Sequence, residues 1–411
     1  MKDSMKDSMK GEQSKRTSDQ RFDDLFDSPN FEPTLPAAHA RLAAVRPAAY
    51  AGTRNKLDGA VTRLSPYLTH GLLTLPGVLQ VLLQRGRMPV QHKLVYELGW
   101  RDFFQHVWLH EGDGIFESLQ PGVRPDKSYS RELPADIRAG RTGVPAIDTA
   151  VRELYASGYL HNHARMWLAS YVVHLRHVHW RVGADWLYGH LLDGDLASNH
   201  LSWQWVAATG SQKPYLFNAE NVKRYAPERW HSPGSVIDAD YGSLEQIARQ
   251  GPPVVAGPAQ AAGVAEPALQ GAPPAGLGTA PDAAALRGRE LHLVHPWSLG
   301  PTPEGVLRVG LLDLAFHRRW PWSAARWQFV GTRLRQACDV LWAGEPEALL
   351  QALRSAQSLR GTHNPHLAPG FADLPLQAAP RLLQWPEERS RSFTQFWLGA
   401  TKDMHDAAEL R

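Results

Sequence analysis

Apolar positions in this chain change their spacing part-way along. Through residues 36–226 they recur mostly at three- and four-residue intervals, the repeat of helices that each bury one face. Leu72 to Leu83 is rich in Leu and Val, with Pro76 where a helix would start. Lys93 to His110 sets Leu94, Glu97, Leu98, Arg101 and Phe104 near one helical face. Gly122, Pro125 and Pro134 predict a long irregular loop after His110, and Ile147 to Tyr155 and Asn162 to Arg181 continue as helices.

After residue 250 the helical repeat stops. Residues 250–288 are dominated by Ala, Gly and Pro, as in Gly251-Pro252-Pro253 and Ala272-Pro273-Pro274, and predict a flexible interdomain linker. Beyond it, Leu291 to Val294, Val306 to Leu312 and Asp339 to Trp342 read as strands. Helices from Ser323 to Ala337 and from Gly344-Glu345-Pro346 to Ser355 follow the second and third. Such alternation implies parallel crossovers. The expected organisation is a disordered polar tail over 1–20, where Met-Lys-Asp-Ser is written twice, and a mainly α-helical domain over 21–249. The linker over 250–288 and a smaller α/β domain with a doubly wound parallel sheet over 289–411 complete it.

Composition removes several function classes. No apolar run is long enough for a membrane span, and the N-terminus lacks the apolar core of a signal peptide. The one cysteine, Cys338, permits no intramolecular disulfide and no thiolate zinc site, so a cytoplasmic protein without metal is expected. The 19 His are scattered without a ligand pair and read as hydrogen-bonding groups. A net charge of +3 does not itself argue for nucleic acid, so any such partner must be read from local arginines and aromatics.

The densest chemistry lies in His161-Asn162-His163-Ala164-Arg165-Met166, Asp193-Gly194-Asp195, Asn199 and Trp203-Gln204-Trp205. Charge of that density in an otherwise apolar helical region must be paired or serve a ligand. Two earlier blocks accompany it: Tyr50 to Arg54 with Thr62-Arg63-Leu64-Ser65-Pro66, and Glu97-Leu98-Gly99-Trp100-Arg101. Alone, the first marks only a helix start and the second only an amphipathic helix.

Together, in this order and at this spacing, the blocks resemble the flavin-binding core of the DNA photolyase/cryptochrome family, over roughly Tyr50 to Ala208. The resemblance implies FAD as cofactor. It places Tyr50, Thr62, Arg63, Leu64 and Ser65 at the pyrophosphate, where hydroxyls and a helix N-terminus suit phosphate. Arg101, Asn162, Arg165, Asp193, Asp195 and Asn199 would surround the flavin, with Arg165 paired to Asp193 and Asn199 facing N5. Glu97, Trp100, Asn162, Met166 and Trp205 would hold a pyrimidine dimer. Trp203 and Trp180 would relay electrons inward. The outer relay position falls near Lys127, in a loop without Trp, where Tyr129 is a substitute. Arg54, His163 and Lys213 are the DNA-contacting candidates, His163 standing where the family has Arg.

After the linker, Gly310 to Asp313, Trp322 to Phe329, Gly344 to Leu350 and Ser392 to Trp397 resemble segments of the family's α/β antenna domain, here C-terminal instead of N-terminal. The implied function is FAD-dependent, light-driven repair of cyclobutane pyrimidine dimers in DNA, including single-stranded DNA, by a monomer. The alternative is a cryptochrome-like blue-light sensor without repair activity.

Overall fold

The computed structural model describes residues 30–258 and 261–410; the tail expected over 1–20 lies outside them. Helices form where apolar periodicity and caps coincide. Thr74 caps the Leu75–Leu83 helix, its hydroxyl accepting from Gly77 N, with Pro in the first turn. Three histidines do the same work: Nδ1 of His92, His161 and His179 accepts from the backbone two residues on and starts the helices Lys93–Glu111, Asn162–Ser170 and Trp180–His190. The run expected as helix from Asn162 to Arg181 is therefore two helices. A wide π turn over Tyr171–Leu175 and a left-handed His177 (φ 49°) separate them, and His179 restarts the chain.

The C-terminal part forms a parallel four-stranded sheet in the spatial order Val340–Gly344, Leu307–Asp313, Glu290–Val294, Ser358–Gly361. Numbered along the chain this is 3-2-1-4, a doubly wound order. The helices Ala324–Ala337 and Pro346–Leu353 supply the crossovers, Ser323 capping the first. Helical region and parallel sheet thus follow each other as the spacing of apolar residues predicts.

The packing cuts across that division. One hydrophobic core joins Phe31 to Phe116 and Tyr188 to Leu201 with Leu277 to Leu410. A second lies within Leu133 to Leu244, in the helical region. The Lys93–Glu111 helix is latched by the C-terminal segment: Asp102 Oδ2 accepts from Leu382 N, Leu383 N and Trp385 Nε1, and His106 Nε2 accepts from Ser390 N.

Residues 261–288 of the Ala/Pro/Gly-rich segment form a packed strap, not the loose linker the composition predicts. Leu269–Gln270 pairs antiparallel with Trp322–Ser323, and Leu277 and Leu286 are buried. Glu266 accepts from Trp186 Nε1 at 3.0 Å and His190 Nε2 at 3.1 Å. Small side chains let the backbone lie flat on its neighbours, and a few anchors fix it.

Candidate flavin site

Two adjoining cavities lie among the helices that carry the polar motifs. The larger, about 420 Å³, is lined by Glu97, Trp100 and Arg101 from the Lys93–Glu111 helix, and by Asn162, Arg165 and Met166 from Asn162–Ser170. Asp193 and Asp195 precede the Leu196–Ala207 helix, which adds Asn199, Trp203 and Trp205. The smaller, about 210 Å³, is lined by Tyr50, Thr62, Arg63, Ser65, His161 and His163. Arg54, Glu97, Arg101, Asn162, Arg165 and Asp193 border both.

The charges are arranged as pairs. Arg165 Nη2 donates to both oxygens of Asp193, at 3.0 and 2.8 Å. Burial pushes the Asp193 carboxyl up, and Arg165 more than offsets it, so its pKa lies below the ordinary carboxylate value. Asp195 caps its helix, accepting from Ser198 N at 2.7 Å, and also accepts from Gln105 Nε2 at 3.0 Å. Arg54 Nη1 donates to Glu97 Oε1 at 2.6 Å, while burial raises the Glu97 carboxyl.

Most residues expected around one flavin do converge here. Leu64 differs: its side chain is in the core, leaving only its backbone for a phosphate. Two DNA-contacting candidates also differ. Arg54 is turned onto Glu97 rather than outward. His163 packs against Trp167 and Tyr225, and burial together with Arg54 lowers its pKa to about 4. A neutral imidazole offers no charge to a phosphate, so His163 does not replace the family's Arg electrostatically. Lys213 is exposed. Gln105, the Arg54–Glu97 pair and the unpartnered, buried Nε2 of His161 were not singled out by the motifs. Only the helical spacing of Gln105 from Arg101 and Trp108 hinted at an inward face.

Residues 94–237 match the family model described as the FAD binding domain of DNA photolyase. Over those residues the chain carries an FAD-binding domain of the photolyase type. It is 32% identical over 205 residues to a deoxyribodipyrimidine photo-lyase of Streptomyces griseus, covering 47% of this chain and 44% of that protein. It is 34% identical over 190 residues to a chloroplastic/mitochondrial cryptochrome DASH of Ostreococcus tauri, covering 44% of this chain and 35% of that protein. A Synechocystis cryptochrome structure aligns with TM-score 0.44 and 28% identity, over 48% of this chain and 44% of that one. The chain thus matches less than half the length of these relatives.

FAD is the cofactor of this photolyase-type domain, and the site suits it. The Arg165–Asp193 pair, the orphaned His161 Nε2 and the Ser65 hydroxyl all border adjoining cavities. Asn199 lines the larger cavity, with its Nδ2 donating to Ala184 O at 2.8 Å and its Oδ1 left to accept. Behind it, the Trp203 ring packs directly on Gly183, and Trp180 Nε1 donates to Ser118 Oγ at 2.9 Å. Tyr129 approaches Trp180 through the His179 ring, whose centroid lies 6.2 Å from Tyr129 and 5.6 Å from Trp180. Among the described residues no cluster of His, Cys, Asp or Glu can hold a metal, and no helix is long and apolar enough to cross a membrane.

Proposed function

We propose that this protein repairs cyclobutane pyrimidine dimers in DNA under near-ultraviolet or blue light. The observation that carries the reading is that Glu97, Trp100, Asn162, Met166 and Trp205 line the same cavity as Arg165, Asp193 and Asn199. When bound and reduced, FAD supplies the light-excited electron that splits the dimer. The chain's residues do the rest. Trp205 is 38% exposed at the rim and, with the free face of Trp100, offers stacking surface to bases taken out of the helix. Asn162 and Met166 line the same cavity and touch, Nδ2 to Sδ at 3.5 Å. Glu97 lines the cavity and can accept a hydrogen bond from a base N–H once Arg54 releases it.

With Arg54 paired to Glu97 and His163 neutral, duplex affinity is expected to be weak and salt-sensitive, and single-stranded DNA to serve at least as well. The test is to reduce the bound flavin chemically, illuminate dimer-containing oligonucleotides of both forms, and score restored thymines. No repair of either form, with FAD fully reduced, overturns the reading. It would favour the second one, a light sensor, for which the Arg54–Glu97 pair is the supporting observation: it occupies the carboxylate that a dimer needs.

A further inference from the structure

The turn Asp193-Gly194-Asp195 is held from behind by the α/β half. Arg326, on the Ala324–Ala337 helix, is fully buried. Its Nη2 donates to Gly194 O at 2.5 Å, and its guanidinium lies 4.0 Å from the Trp322 ring centroid and 4.9 Å from that of Tyr188. A side chain at Gly194 would place its Cβ 2.5 Å from Arg326 Nη1, so only glycine admits this approach. Nε and Nη1 of Arg326 have no hydrogen-bond partner among the described residues, and no carboxylate there pairs with it directly. A buried cation left in that state is costly unless nearby charge compensates it.

The compensating charge is in the flavin site. Asp193 and Asp195 act on Arg326 through space, and they also face Arg101; Asp193 is already paired with Arg165. Three guanidiniums therefore face two carboxylates. His70 and His366, packed on the same turn, add no charge near neutral pH, because burial lowers them to about 4 and about 3.

We propose that Arg326 is a positioning residue for the flavin, fixing the Asp193–Asp195 turn through Gly194 and supplying the surplus positive charge that favours a negatively charged reduced FAD. Uptake of two electrons and one proton leaves the isoalloxazine with one negative charge, and a neighbouring cation stabilises that form over the neutral oxidised one. The inference rests on FAD occupying this cavity.

The test compares Arg326→Lys, Arg326→Gln and Arg326→Met in the full chain. Reductive titration with dithionite against a reference dye gives the flavin midpoint potential, and melting of the flavin-free chains gives stability. The neutral variants should lower the ratio of reduced to oxidised FAD affinity about tenfold, about 30 mV for a two-electron couple. Arg326→Lys should keep the wild-type potential. Flavin-free Arg326→Met should be at least as stable as wild type, since an unpaired buried charge has been removed. Neutral variants that bind FAD at the wild-type potential overturn the inference, as does failure of both to fold. A wild-type chain that takes up no FAD would instead overturn the cofactor assignment.

Discussion

Trp100 stacks on Phe393, with ring centroids 4.0 Å apart and planes 9° from parallel. One residue lines the flavin-site cavity; the other opens the Phe393–Ala400 helix near the end of the chain. The stack and the Asp102 latch make the C-terminal segment part of the wall behind the site. Phe393→Ala should therefore destabilise the protein by about 3–5 kcal/mol, the usual range for an emptied aromatic core site. It should also loosen FAD, because Trp100 loses its support. Denaturant midpoints and FAD release on dilution check both. A fragment ending near Arg249, though it holds every flavin motif, should not retain FAD.

Removing one member of the Arg165–Asp193 pair tests the site's electrostatics. Asp193→Ala strands Arg165 beside Arg101 and should cost about 3 kcal/mol, somewhat less than a fully buried pair because Arg165 keeps some solvent contact. The purified variant should be pale, with FAD lost on gel filtration. Full FAD occupancy would show that Asp193 does not hold the cofactor site together.

The buried histidines predict acid sensitivity. Burial lowers His70, His106, His161, His163, His174, His295, His317 and His366 to between about 3 and about 4. A depressed pKa in the folded state means the unfolded chain takes up protons first as pH falls. The stability these groups contribute is fully present above about pH 6.5 and is lost as pH falls towards 4. Asp102, raised by burial to about 6, acts in the opposite direction and offsets one of them. His317 has an unpartnered Nδ1 between the rings of Trp322 and Trp327. His317→Phe should reduce the slope of stability against pH between 6 and 4 by about one proton, about 1.4 kcal/mol per pH unit. Urea titrations at several pH values measure it.

Electron supply has its own test. Trp203→Phe should suppress light-driven reduction of oxidised FAD while leaving FAD bound, because Trp203 lines the cavity and packs on the Trp180 helix at Gly183. Tyr129→Phe should slow photoreduction only if electrons pass the intervening His179; an unchanged rate removes Tyr129 from the route.

The packed strap is tested by proteolysis. Limited digestion of the native chain should spare residues 261–288 until global unfolding, because Glu266, Leu277 and Leu286 pin them. Glu266→Ala leaves Trp186 Nε1 without its partner and should cost about 1–3 kcal/mol while exposing the strap to cleavage.

The sequence alone determined the order of helical and α/β parts, the strands, most helix starts and the cluster around Arg165 and Asp193. These rest on apolar periodicity, local caps and dense motifs, all of which act over a few residues. It misjudged the strap, because Ala, Pro and Gly look alike whether they float in solvent or lie flat on a neighbour. It also could not show that Arg54 turns onto Glu97, that His163 packs on Trp167 and Tyr225 and is neutral, or that Arg326 and Phe393 reach the site from the other half. Those are contacts between residues far apart in the chain, and no local spacing encodes them. Only the shared hydrophobic core that brings Lys93–Glu111, the Asp193–Asp195 turn and the C-terminal helices together decides which charges meet and which are buried alone.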